Sequence, residues 1–435
     1  MKKKKFAKLF YSGAFCLSLF FASCGKEETP PVNNGGMSQK MDEEGLTDKQ
    51  KENALPLKGK VFGELPVVRE EDAIYCNLPE NVLSWDSSIP LCRDPLYDIL
   101  YYVDENIIYA VQNGKTEAAV ELSGRRLFCR GGKLYFLLSS NTKTAVKGAK
   151  GGNILCYNPV DGTVEVVLED VFDSITVYQD LIYCRKIGED SGISVKIDYW
   201  FYFFDTEELI AQEKQEVASY SVGISRYGKD FVGWLYGSYD RTNPREDCEE
   251  LIEKQGIDPE LIRLPIGAHL CNFDGSNSRV LEGIEELPIS HYVKRDNLIW
   301  LAEDGLHTWN IATGKEEITE FQYIEASFIL LDDKLYSTTG YMENGEQKKC
   351  CEFALKTSTN GIGQIGEFFT DKKQVYGYVA ESMNEDGTIP YRLYLIDVIS
   401  KEKAVSMIPS DLLEIWEESL NDCDCVYRLT ELSKE

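Results

Sequence analysis

The chain has 435 residues, with 73 acidic against 46 basic side chains and a formal net charge of −27. So acidic a surface repels polyanions, which excludes nucleic acid as a partner and argues against binding to anionic lipid headgroups through a basic patch. With three histidines in all, histidine-based zinc or triad chemistry has little material to work with.

Residues 1–23 read as a targeting signal. Lys2 to Lys5 and Lys8 form a basic start, and Leu9 to Ala22 is an apolar run of about 14 residues, shorter than the roughly 20 a membrane-spanning helix needs. The run ends in Phe21-Ala22-Ser23-Cys24. Small residues before a cysteine resemble a bacterial lipobox, with Phe21 standing where Leu is usual. The resemblance implies that Cys24 is acylated and becomes the mature N-terminus; the alternative is plain secretion by signal cleavage. Each buried CH₂ contributes about 0.8 kcal/mol, so two or three acyl chains hold a soluble domain at a membrane. Residues 24–60 are rich in Pro, Gly, Asn and charge and are expected to be a disordered tether. Residues 61–435 hold the folded domain.

Seven units of a polar turn followed by an apolar-aromatic strand recur in this domain, marked by Leu100, Leu134, Leu181, Phe231, Leu298, Leu335 and Val375, spaced on average by about 46 residues. Each is followed by a second strand and turn, as in Ile154 to Asn158 before Asp161-Gly162. The hairpin over Ile266 to Leu287, turning at Asp274-Gly275, shows the unit most plainly. Charged outer strands are expected at Thr163–Glu169, Glu208–Gln212, Lys315–Thr319 and Lys401–Met407. Three to four short strands per 40–50 residues predict an all-β chain forming a single β-propeller of seven blades, with six or eight as the neighbouring counts. The innermost strand of the first blade is expected within 65–95, around Ala73 to Cys76 or Ser84-Trp85. Val426 to Leu429 is a candidate closing strand, on the expectation that the two chain ends share a blade.

Two stretches break the period. Between Phe231 and Leu298, a small helical insert is expected over 241–263: Asn243 suits an N-cap, Pro244 N1, Glu246 N3 and Gly256 a C′ position. Insertions within repeats often mark the binding face. Over 410–420, Leu412, Ile415, Trp416 and Leu420 share a helical face, predicting a C-terminal helix packed on the ring.

The units LYYVDENIIYAVQNGK and LCNFDGSNSRVL resemble the YWTD-type propellers of the low-density-lipoprotein-receptor class, including bacterial lipoprotein relatives. The resemblance covers roughly 98–408 and implies a propeller fold but no shared catalytic motif. Tyr102 and Val103 replace the family's Trp and Thr. Thr313-Gly314-Lys315 after Trp309-Asn310 resembles, once, a turn of quinoprotein-type propellers, which include an outer-membrane assembly scaffold.

Beyond Cys24 lie eleven cysteines, an odd number, mostly inside apolar runs; they are expected to be mostly free thiols packed as small hydrophobes. Cys423-Asp424-Cys425 has the form of a metal or redox pair but lacks partners at ligand spacing. His269 and His307 occupy matching repeat positions, and His291 lies on a preceding strand. No nucleophile elbow, zincin, dinucleotide, Walker or EF-hand pattern occurs, so no cofactor, metal or catalytic residue is expected. The reading that follows is a lipid-anchored extracytoplasmic binding or scaffold module for a protein or cell-surface glycan. The alternatives are a carboxylate-dependent propeller glycosidase or lyase and an envelope-assembly scaffold of the quinoprotein-like type.

Overall fold

The computed structural model describes residues 76–77 and, with breaks, 90–432; the longest break is 239–268. All described residues belong to the compact unit Glu52–Glu435. Cys24, the tether and the insert 241–263 lie outside the described residues.

Short antiparallel sheets follow one another along the chain. β1 is Cys76–Asn77. The first sheet holds β2 (Leu91–Asp94), β3 (Ile99–Asp104), β4 (Ile107–Gln112) and β5 (Lys115–Val120). The second holds β6 (Gly124–Arg130), β7 (Lys133–Leu138), β8 (Ile154–Asn158) and β9 (Thr163–Leu168), with β1 added beside β6. The third holds β10 (Ser174–Val177), β11 (Leu181–Asp190), β12 (Ser194–Phe203) and β13 (Leu209–Val217). Two hairpins come next, β14 (Tyr220–Ile224) with β15 (Trp234–Ser238) and β16 (His269–Leu270) with β17 (Arg279–Val280). β18 (His291–Lys294), β19 (Asn297–Ala302), β20 (Gly305–Asn310) and β21 (Glu316–Thr319) form a further sheet, as do β22 (Phe328–Leu331), β23 (Lys334–Ser337), β24 (Gly340–Glu343) and β25 (Glu346–Lys349). The last sheet contains β26 (Ala354–Lys356), β27 (Ile362–Gly363), β28 (Ile365–Thr370), β29 (Val375–Ala380), β30 (Tyr391–Ser400) and β31 (Cys425–Glu431). Its spatial order is β27-β26-β31-β30-β29-β28.

Six of the seven sequence markers fall on the second strand of a meander: Leu100 on β3, Leu134 on β7, Leu181 on β11, Leu298 on β19, Leu335 on β23 and Val375 on β29. Phe231 lies outside the described residues. The tight turns follow from local chemistry. Asn113-Gly114 joins β4 to β5 and Asn344-Gly345 joins β24 to β25, each with both φ values positive. That backbone is the type I′ turn whose twist matches the flanking strands.

Packing shows why these sheets cannot stand alone. Successive side chains of a strand point to opposite faces, and here both faces are buried. On β3, Ile99 and Tyr101 enter the core shared with the second sheet, while Leu100 and Tyr102 enter the core shared with the last. On β7, Leu134 and Phe136 face the first sheet and Tyr135 and Leu137 the third. On β29, Val375 and Val379 pack toward the β22–β25 sheet, and Tyr376 toward the first. Burying one such side chain contributes about 1.5–3 kcal/mol, and each sheet needs two neighbours to do it. The first sheet therefore packs on the last, and the array closes on itself. The architecture is an all-β propeller: antiparallel sheets packed radially, with polar outer strands such as β21, all four of whose residues are exposed.

Closure differs from the expected sharing of a blade by the chain ends. All four strands of the first sheet come from Leu91–Val120, and the last sheet is built from Ala354–Glu431. The first strand of the first sheet, Leu91–Asp94, falls within the expected 65–95 but after Ser84-Trp85, and Cys76–Asn77 pairs with β6 of the second sheet. Val426 to Leu429 does form a strand, but within the last meander, beside β30. Among the described residues no strand is shared, and side chains latch the ends. Asp371, after β28, is fully buried; it accepts from Arg93 Nε (2.8 Å) and Nη2 (2.7 Å) on β2 and from the Tyr376 hydroxyl (2.8 Å). Lys373 bridges to Asp98 at 2.6 Å.

One expected strand is a helix. Lys401–Met407 forms α1, because Ser400 acts as N-cap, its hydroxyl accepting from Lys403 N. The helix read over 410–420 is observed as α2 (Ser410–Asn421), burying Trp416 and Leu420 against Cys351, Ile399 and Val426.

Candidate functional site

The first strands of neighbouring sheets lie side by side, β28 next to β2, β2 next to β6 and β6 next to β10, so their polar side chains gather at the ring's inner edge. Two irregularities aim charges there. A register shift in β6 between Arg125 and Phe128 accompanies a left-handed backbone at Arg126 (φ 54°). A second shift in β28, between Ile365 and Glu367, turns Glu367 out of the alternation. Bulges re-aim side chains in this way.

Arg126 is buried, and its charge opposes the upward push that burial exerts on Glu367, whose pKa reaches about 7. These residues interact although β2 lies between their strands. Burial lowers Arg125, against the opposing charge of Asp173, and Arg125 Nε is buried with no hydrogen-bond partner among the described residues. Arg185 forms a side-chain ion pair with Asp173, donating from Nε at 2.8 Å. Asp94, at the end of β2, is buried and raised to about 6 by desolvation, although it accepts from the backbone N–H groups of Tyr97 (3.1 Å) and Leu96 (3.4 Å). Around the inner edge Arg93, Arg125, Arg126 and Arg185 thus stand with Asp94, Asp173, Glu367 and Asp371, and of these carboxylates Asp94 and Glu367 hold protons unusually well. A carboxyl with a pKa near neutrality can donate or accept a proton at physiological pH.

His307 is nearly buried on β20. Its Nδ1 lies 2.7 Å from Glu316 Oε1 and its Nε2 2.6 Å from Asp304 Oδ1, and the ring stacks on Trp300 at 4.9 Å. This carboxylate-clamped arrangement belongs to the outer strands of its sheet, not the inner edge. His269 and His291 lie on β16 and β18.

The cysteines are mostly thiols buried in the cores, as expected: Cys92, Cys129, Cys156, Cys184, Cys350 and Cys425 carry no disulfide, and one pair departs from that expectation. Cys351 and Cys423 form a disulfide, so Cys423-Asp424-Cys425 is not a two-sulfur ligand. Cys350 and Cys425 lie in the core between sheets, whereas Cys351 and Cys423 lie under the helices; the four sulfurs point to opposite faces. Among the described residues no group of three or more His, Cys, Asp or Glu side chains is arranged to hold a metal ion.

Sequence reasoning left carboxylates unlocalised and did not single out Arg125, Arg126, Asp173 or Glu367. A bulge leaves no mark in a strand pattern beyond charged residues in an apolar run, as in Gly124-Arg125-Arg126-Leu127.

No family model matches the chain, and no curated protein sequence matches it; the YWTD-type resemblance of the repeats has no counterpart there. Solved structures give distant likenesses. The extracellular domain of a protein described as a one component system from B. thetaiotaomicron is 13% identical, with a TM-score of 0.37 over 75% of this chain and 41% of that one. The surface component PorZ of the type-IX secretion system of Porphyromonas gingivalis is 11% identical, with a TM-score of 0.36 over 72% and 37%. The β-propeller domain of the Trilobed protease from Pyrococcus furiosus is 15% identical, with a TM-score of 0.34 over 68% and 90%. The chain spans less than half the length of the first two. At these scores the likenesses carry no weight of their own, and the propeller assignment stands on strand pairing and on the cores between sheets.

Proposed function

We propose that the protein is a lipid-anchored, extracytoplasmic, seven-bladed propeller that works as a binding or scaffold module for a protein or a cell-surface glycan, without catalysis. The supporting observation is what the inner-edge charges do: Arg93 with Asp371, and Arg185 with Asp173, join strands and sheets to one another. Polar groups so engaged build a rigid body that presents loops on its faces. Acylation at Cys24 places that body at a bacterial membrane, and the insert 241–263 is the candidate contact surface. No helix among the described residues is long and apolar enough to cross a membrane.

The test is a crosslinking pull-down from the cell envelope, with the full chain as bait and a version lacking 241–263 as control. A partner captured by the first and lost with the second is the expected result; equal capture by both removes the insert from the account. Palmitate labelling should disappear in Cys24→Ala, and a persisting label contradicts the anchor.

Glu367 supports a second reading. A half-buried carboxyl with a pKa of about 7 at the inner edge has the property a glycosidase general acid needs. That reading requires release of reducing sugar from envelope or wall glycans, lost in Glu367→Gln.

A further inference from the structure

We propose that Cys350 and Cys425 are the site of a second disulfide, on the opposite face of the sheet from Cys351–Cys423, so that the C-terminal strand is stapled twice. The two Sγ atoms are 2.8 Å apart and buried, inside the contact distance of unbonded sulfurs. The backbone fixes this juxtaposition. Cys350 and Cys425 form a parallel bridge, Cys351 N donates to Cys425 O at 3.1 Å, and Asp424 N donates to Lys349 O at 2.8 Å. Lys349 N donates in turn to Asp424 Oδ2 at 2.9 Å. Consecutive residues of an extended segment face opposite sides; the vicinal cysteines therefore reach two different partners, and the one-residue spacer between Cys423 and Cys425 allows both.

The pair is also polarised for exchange. The hydrogen bond shared with Cys350 lowers the Cys425 thiol, while burial pushes Cys350 up. The Cys425 thiolate attacks a low-molecular-weight disulfide, forming a mixed disulfide and releasing one thiolate. Cys350 loses its proton and attacks the Cys425 sulfur, expelling the second thiolate. Two thiols lose two protons and two electrons, and the oxidant is reduced to two thiols. Because both sulfurs are buried once β31 is in place, the bond forms as that strand docks. It links positions 75 residues apart, beside the 72-residue link of the first disulfide. The extracytoplasmic reading bears only on where oxidation happens, not on whether this pair bonds.

The full chain is refolded with glutathione disulfide, alkylated with N-ethylmaleimide and digested with trypsin. The digest places Cys350 and Cys351 on residues 350–356 and Cys423 and Cys425 on residues 404–428. The expected product is the joined peptide pair carrying no adduct, and in Cys351→Ser with Cys423→Ser the two peptides should stay joined. Two adducts on the joined pair, or separate peptides in the double variant, overturn the proposal. Buried Cys156, whose thiol burial raises to about 12, should take the label after denaturation and serves as the internal free-thiol reference. A parallel sample alkylated directly in cells reports the compartment: four adducts there, with none after glutathione treatment, would leave the bond standing and remove the extracytoplasmic reading.

Discussion

At the scale of single residues, Asp371 shows how a buried charge is retained. Its carboxylate meets the Arg93 guanidinium, the Tyr376 hydroxyl and the backbone N–H groups of Lys373 and Gln374. Removing one partner of a buried ion pair costs about 3–5 kcal/mol when the other is left uncompensated; Arg93 keeps a second bond, from Nη1 to Asp98 at 3.0 Å, so the low end of that range applies. Asp371→Leu should lower stability by that amount in urea unfolding, and adding Arg93→Met should recover much of it; a loss under about 1 kcal/mol would show that the pair is not a latch. His307 makes a prediction of different form. Burial alone lowers its pKa, but the bonds to Glu316 and Asp304 outweigh burial and raise it. A raised folded-state pKa favours the charged imidazolium, so its contribution is complete below the unfolded value of about 6.5 and fades as pH rises through the folded one. The stability gap between wild type and His307→Gln should therefore narrow from acid to alkaline pH. A pH-independent gap would mean that packing on Trp300 is the whole effect.

At the scale of elements, turn and strand chemistry was legible in the chain, because a meander strand declares itself by an apolar-aromatic run after a polar turn. The same rule failed at Lys401–Met407, where charged residues after β30 look like an outer strand. A serine N-cap before a residue set that buries Ala404 sets a helix there instead. Ring closure was not legible either, since it depends on which residues meet across nearly the whole chain; Arg93 and Asp371 are 278 positions apart. The cysteine pairing was hidden for the same reason. Gly305 offers a test at this scale. It opens β20 with φ 142°, and a Cβ there would collide with the backbone carbonyl of Thr319 on β21. Because backbone cannot move aside cheaply, Gly305→Ala should cost more than the ~1 kcal/mol by which alanine and glycine ordinarily differ, read as a lowered urea midpoint. An unchanged midpoint would show that the hairpin can relax.

For the molecule as a whole, the central claim is a closed ring in which the first sheet packs on the last. That contact joins the two ends of the array of sheets, and it rests on Leu91, Leu100 and Tyr102 against Phe369, Tyr376 and Leu393. The salt bridge of Lys373 with Asp98 lies at the rim of this contact, and both side chains are more than half exposed. It is open to a water-soluble carbodiimide, which joins an amine to a carboxylate with no spacer. The measurement is carbodiimide crosslinking of the dilute full-length protein followed by peptide mass spectrometry. The closed ring predicts an intramolecular bond between Lys373 and Asp98. Lys373 found linked only to carboxylates of its own sheet would contradict it.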